Sequence, residues 1–182
     1  MEYTLLIVPG LGNSGVQHWQ TYWLKLFPNS QKLIQENWDE PKLEDWLDAL
    51  NKKIATIEGP IVLVAHSLGS ILVNHWTKTS YDNKVIAALL VAPADVDSVT
   101  HTPPETWNFA PIPQTPLPYP SMVITTDDDP YIATEKAKLL ADVWGSKFVN
   151  VGLKGHLNTA SNLAYWEEGQ LLFQELIATI KT

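Results

Sequence analysis

Six short apolar runs alternate with longer amphipathic stretches along this chain, and that alternation restricts the fold more than any other feature. The runs are 3–9, 31–35, 60–65, 84–92, 121–126 and 147–151. Ile61-Val62-Leu63-Val64-Ala65 is apolar without interruption, which suits a strand covered on both faces. The amphipathic stretches fall near 16–27, 41–57, 68–79, 131–143 and 166–180. In the second of them Pro41 suits a helix start, and Leu43, Trp46, Leu47 and Leu50 follow at spacings of three and four, giving one apolar stripe. Strands alternating with helices predict βαβ units, hence an α/β fold whose parallel sheet is covered by helices. No repeat or linker interrupts the pattern, so the 182 residues read as a single domain, 1–182.

The stretch 103–120 departs from the pattern, holding seven of the thirteen prolines. Proline removes a ladder donor and breaks a helix, so this stretch reads as a long surface loop between the fourth and fifth strands. It is either a stiff connection or a wall of a functional mouth, with Trp107 and Phe109 as apolar contacts.

Charge and composition exclude several classes of partner. Twelve Lys and Arg stand against twenty Asp and Glu, a net charge of −8 with no basic cluster, so nucleic acid is not an expected partner. No apolar run approaches the roughly 20 residues that span a bilayer, and no signal peptide is read at the N-terminus. Cysteine is absent, which removes thiolate chemistry and accords with a cytoplasmic setting. No histidine spacing suggests a metal site, and no cofactor is expected.

The third run leads into His66-Ser67-Leu68-Gly69 and then a helical pattern. A strand, a sharp turn carrying serine and a helix form a nucleophile elbow, which lifts the hydroxyl above the sheet edge. Strand and helix pass closely there, so the residues two before and two after the serine must be small; here they are Ala65 and Gly69. The Leu68 N–H at the start of the helix becomes a natural donor to an oxyanion. The plainer alternative is a serine that caps the helix after it.

Partners for Ser67 follow in the order Ser, acid, His. Asp127-Asp128-Asp129 closes the fifth run, and spacing leaves the choice among the three carboxylates open. Gly155-His156 lies in a loop past the sixth run, which makes His156 the candidate base for Ser67. His66, His75 and His101 have plainer explanations. His18, opening the first helix, can line a pocket or serve as a cap, and Trp19 and Trp23 can belong to a pocket or to the core.

A competing motif needs weighing. Gly10-Leu11-Gly12-Asn13-Ser14-Gly15 fits the dinucleotide-binding pattern between a strand and a helix, with Glu36 placed to meet a ribose hydroxyl. That reading leaves Ser67, the Asp run and His156 without a role. The hydrolytic reading uses the same glycines to turn backbone N–H groups near Leu11 towards an oxyanion.

Val8-Pro9-Gly10-Leu11-Gly12-Asn13-Ser14-Gly15 with His18-Trp19, Ala65-His66-Ser67-Leu68-Gly69, Asp128-Asp129-Pro130-Tyr131 and Val151-Gly152-Leu153-Lys154-Gly155-His156 together resemble the small serine hydrolases related to retinoblastoma-binding protein 9. The resemblance covers nearly the whole chain. It implies a compact three-layer α/β-hydrolase without a helical cap, with six parallel strands in the order 2-1-3-4-5-6. It implies Asp129, the residue before proline, as the acid of a Ser67-Asp129-His156 triad, with Asp127 and Asp128 as neighbours. The family's partner-binding motif needs a cysteine and does not carry over, so a protein partner is not assigned.

The expected activity is hydrolysis of a small-molecule ester or amide. Leu68 and Leu11 would supply the oxyanion hole, and Gly12, Asn13, His18 and Trp107 would meet the substrate. The alternatives are a catalytically silent binding protein on the same fold, and a nucleotide-binding oxidoreductase acting through residues 10–15.

Overall fold

Successive residues of a strand face opposite sides of a sheet, and in this chain both sides are apolar. The computed structural model describes residues 2–180. Six strands, β1 (Thr4–Val8), β2 (Ser30–Lys32), β3 (Ile61–His66), β4 (Val85–Val91), β5 (Ser121–Thr125) and β6 (Lys147–Asn150), form one sheet. All pairings are parallel, in the order β2-β1-β3-β4-β5-β6. The helices between them are α1 (Trp19–Leu26), α2 (Leu43–Thr56), α3 (Leu68–Ser80), α4 (Thr134–Trp144) and α5 (Glu167–Ala178).

Leu6 and Val8 of β1 with Leu63 and Ala65 of β3 pack beneath α2, α3 and α4, against Trp46, Leu72 and Trp144. Their alternates Leu5, Ile7, Val62 and Val64 face α1 and α5, against Trp19, Trp23 and Phe173. The fold is thus a three-layer α/β sandwich with a parallel sheet, as the alternation implies, and its strand order is that of the compact α/β-hydrolase the resemblance implies. Among the described residues no helix is long and apolar enough to cross a membrane.

Two parts differ from the sequence reading. The second strand is shorter and earlier than 31–35. It lies at the sheet edge, and after Leu33 donates to the Ile7 carbonyl (2.9 Å) the chain leaves the ladder. Glu36 therefore stands beyond the strand and is exposed.

The proline-rich stretch is more than a surface loop. Pro104–Phe109 forms a 3-10 turn, with proline in its first turn where the missing N–H costs nothing. Phe109, Ile112 and Tyr119 are buried in the core, Phe109 edge-on to Trp46. Trp144 donates to the Pro113 carbonyl (2.8 Å), and Asn108 bonds both Leu43 N–H (2.8 Å) and the Pro41 carbonyl (2.9 Å). The segment is a strap fastened to the start of α2 and the end of α4.

Candidate active site

Apolar β3 and helix-forming α3 meet with no connecting loop, so Ser67 must turn the chain alone. It sits at φ 54°, ψ −124°, a conformation that side-chain-bearing residues rarely adopt. Although Ser67 holds the N-cap position of α3, its side chain makes no capping bond. Oγ instead lies 2.8 Å from His156 Nε2.

The close approach of α3 to β1 has a measurable cost if disturbed. A Cβ on Gly69 would fall 2.4 Å from the Val8 carbonyl oxygen and 2.6 Å from that of Pro9, both rigid backbone. Gly69→Ala is therefore expected to destabilise the protein by about 3 kcal/mol or more, at the upper end of overpacking costs. Thermal unfolding checks this, and an unchanged Tm would contradict the packing described. Gly10 is also constrained, because its Cβ would lie 2.9 Å from Ser67 Cβ. The glycine segment is thus needed for contact with the elbow. Gly12 N–H donates to the Trp38 carbonyl and Asn13 N–H to that of Gly10, so both are already engaged within the protein.

His156 is held from every side. Its Nδ1 is 2.9 Å from both carboxylate oxygens of Asp129, which fixes the ring orientation and leaves Nε2 facing Ser67. Asp129 Oδ1 also accepts the Tyr131 N–H (2.9 Å), and the Tyr131 ring packs at 4.4 Å from the imidazole. The backbone of the loop is pinned as well. His66 Nε2 donates to the His156 carbonyl (2.9 Å), and Trp19 Nε1 donates to that of Leu157 (2.8 Å). Thr126 donates to the Gly155 carbonyl (2.6 Å), and Asp128 accepts from Lys154 and Gly155 N–H (2.9 and 2.8 Å). Asp127 instead binds the Asn150 amide (2.6 Å). The three consecutive carboxylates therefore have three different partners: the end of β6, the loop backbone and the imidazole.

Leu11 and Leu68 carry backbone N–H groups beside Ser67. Neither donates to any described group. Two free amides at the N-terminus of α3 and in the adjoining loop can receive negative charge that develops on an oxygen bonded to Ser67 Oγ.

These groups open on a cavity of about 570 Å³ lined by Leu11, Asn13, His18, His66, Ser67, Leu68, Ala94, Thr102, Pro103, Thr106, Tyr131, His156, Asn158, Thr159 and Ala160. Of the residues expected to meet substrate, Asn13 and His18 line it, whereas Gly12 and Trp107 do not. Gly12 turns away to reach Trp38. Trp107 lies one position past Thr106 in the 3-10 turn, about 120° round at three residues per turn, and its Nε1 braces the wall from outside by donating to the Thr102 carbonyl (3.0 Å). The strap is a wall of the mouth, but through Thr102, Pro103 and Thr106 rather than through Trp107 and Phe109. Trp19 and Trp23 are core residues. The sequence reading missed His66 and Tyr131. The position of His66 next to Ser67 was visible, but its partner lies 90 residues away in sequence.

Three imidazoles form a row, with ring centroids 4.8 Å apart from His18 to His66 and again from His66 to His156. Burial, together with the neighbouring His156 and Lys32, lowers the His18 pKa from 6.5 to about 4. Burial likewise holds His66 well below the usual range. Both rings are neutral at pH 7. The unfolded chain takes up the His18 proton near pH 6.5 and the folded one only near 4, so the unfolded state binds more protons between those values. The stability is complete above pH 6.5 and falls as the pH drops towards 4, with a full His18 share of about 3 kcal/mol. Urea unfolding at pH 7 and pH 4.5 should show this loss, and His18→Asn should reduce it. Equal losses in the two proteins would refute the assignment.

The arrangement is that of a serine able to lose its proton to an oriented imidazole beside two backbone donors. The comparisons with known proteins agree with that chemistry. The structure is similar to that of a protein described as a YdeN-like hydrolase from Pectobacterium atrosepticum, with TM-score 0.88 and 28% identity over 100% of this chain and 94% of the other. It is similar in fold to the ydeN gene product from B. subtilis, with TM-score 0.76 and 22% identity over 98% and 100%. It also shares its fold with a thermophilic esterase from Thermogutta terrifontis, with TM-score 0.72 and 15% identity over 100% and 92%. No curated protein matches the sequence. Residues 5–175 match the serine hydrolase family, and the chain belongs to it.

Proposed function

We propose that this protein hydrolyses small carboxylic esters or amides through an acyl-enzyme on Ser67. The observation that carries the reading is the continuous contact from Ser67 Oγ to His156 Nε2 (2.8 Å) and from Nδ1 to Asp129 (2.9 Å), opening on a cavity. Oγ bonds to the substrate carbonyl carbon as its proton passes to His156 Nε2. The carbonyl oxygen becomes an oxyanion bound by Leu11 and Leu68 N–H, each donor contributing about 2.7–4 kcal/mol in comparable sites. Collapse breaks the bond to the leaving group, which takes the proton from His156. A water molecule, deprotonated by the same imidazole, then releases the acid and restores Ser67. Asp129 holds the tautomer in which Nε2 is the acceptor and stabilises the imidazolium.

The cavity wall has hydroxyl, amide, imidazole and apolar groups but no Lys, Arg, Asp or Glu. An ionic substrate would lose hydration there without a countercharge, which favours neutral substrates.

A fluorophosphonate probe tests the reading directly. The expected result is covalent modification located at Ser67 by peptide mass. A folded protein that remains unlabelled across a range of pH would overturn it.

A further inference from the structure

The triad and the two backbone donors leave His18, a buried polar side chain of the cavity, without a role. His18 is buried at the N-cap of α1, where Nδ1 accepts the Gln20 N–H at 3.2 Å. An accepting Nδ1 leaves the hydrogen of the neutral ring on Nε2. Nε2 has no hydrogen-bond partner among the described residues, yet it is not among the sealed unpartnered atoms of the interior. It therefore reaches the cavity that His18 lines. A donor held in one tautomer, neutral at working pH and with nothing to bind, is matched to an acceptor on a ligand.

The placement selects which part of the ligand. The leaving group must stand over His156 Nε2 to be protonated. His18 does not stack on His156, because the His66 ring lies against both, 4.8 Å from each. His18 instead ends the loop that carries Leu11, with the His66 ring between it and His156. Resting on the hydrolase reading above, we propose that His18 Nε2–H is a specificity-determining donor to an ether, hydroxyl or carbonyl oxygen in the acyl group, so that the preferred substrates are neutral acyl esters or amides carrying such an oxygen. The acceptor is apart from the reacting carbonyl oxygen, which Leu11 and Leu68 bind.

Two 4-nitrophenyl esters of equal length test this: the butyrate, and the methoxyacetate, in which oxygen replaces one methylene. Their intrinsic reactivities differ, but the ratio of their kcat/KM values cancels that difference when variants are compared. His18→Asn keeps the cap, since its side-chain oxygen can still accept the Gln20 N–H, and loses the donor at the Nε2 position. His18→Gln reaches that position with an amide N–H and gives up the cap. The methoxyacetate-to-butyrate ratio should fall about tenfold in His18→Asn and recover in part in His18→Gln.

An unchanged ratio in His18→Asn would reduce His18 to a cap and overturn the proposal. Equal losses on both esters would place its action at the shared carbonyl and also overturn it. Should His18→Asn fail to fold, a wild-type-like ratio in an apolar His18→Leu variant would refute the donor role, and a tenfold lower one would support it. Hydrolysis of neither ester by protein whose Ser67 takes up the fluorophosphonate would reject the acyl specificity alone. No uptake of the probe would remove the hydrolase reading itself, and this inference with it.

Discussion

Ser67→Ala is expected to lower turnover of a small ester by up to about 10⁶-fold, the scale of loss when a serine nucleophile is removed from a comparable triad. The variant keeps the positive-φ turn, the Leu11 and Leu68 donors and the cavity, so substrate still binds and its carbonyl is still polarised. It loses the oxygen proposed to form the acyl bond. His156 Nε2, now without its 2.8 Å partner, can at most activate a water molecule. The residual rate should show no burst and should be insensitive to fluorophosphonates. Single-turnover kinetics beside the wild type decide the matter, and retention of more than a hundredth of the rate would rule out Ser67 as the attacking group.

Asp129→Asn should cost about 10⁴-fold, and the reason lies in which way the new amide must face. The Tyr131 N–H at 2.9 Å requires an acceptor, so the amide oxygen takes the Oδ1 place and the NH₂ is turned towards His156 Nδ1. Nδ1 must then accept, which moves the imidazole hydrogen to Nε2. An Nε2–H pointing at Ser67 Oγ cannot receive the serine proton. The change is nearly isosteric and exchanges one buried hydrogen bond for another, so Tm should move by only a few degrees while kcat/KM collapses. A variant with near-normal rate would show that the tautomer is set elsewhere, by the loop bonds from His66, Trp19 and Asp128.

Much of this arrangement is legible in the chain because it depends on local periodicity. The strands follow from apolar runs that must be covered on two sides, and the elbow from a strand that turns into a helix within one residue. β2 was the exception, because an edge strand ends where its neighbour stops, and that is a property of β1. The three carboxylates could not be separated by spacing, since Asp127, Asp128 and Asp129 differ only in which way a tight turn aims them. The resemblance pointed to Asp129, and the structure shows that carboxylate against His156. Trp107 was misplaced for a similar reason: the aromatic side chain was evident, but not the 3-10 geometry that sets its azimuth. His66 and Tyr131 went unrecognised because their contacts join segments far apart in sequence.

The division of labour between sheet and strap bears on how such a protein diversifies. Ser67, Asp129 and His156 follow the ends of β3, β5 and β6 and are bonded to one another. Thr102, Pro103 and Thr106, facing them, sit on a segment held by Trp107, Asn108 and Phe109, whose fastenings lie outside the cavity. Drift at the three facing positions can therefore remodel what is admitted while the chemistry is inherited intact, and a lineage built on this plan can change its diet one side chain at a time.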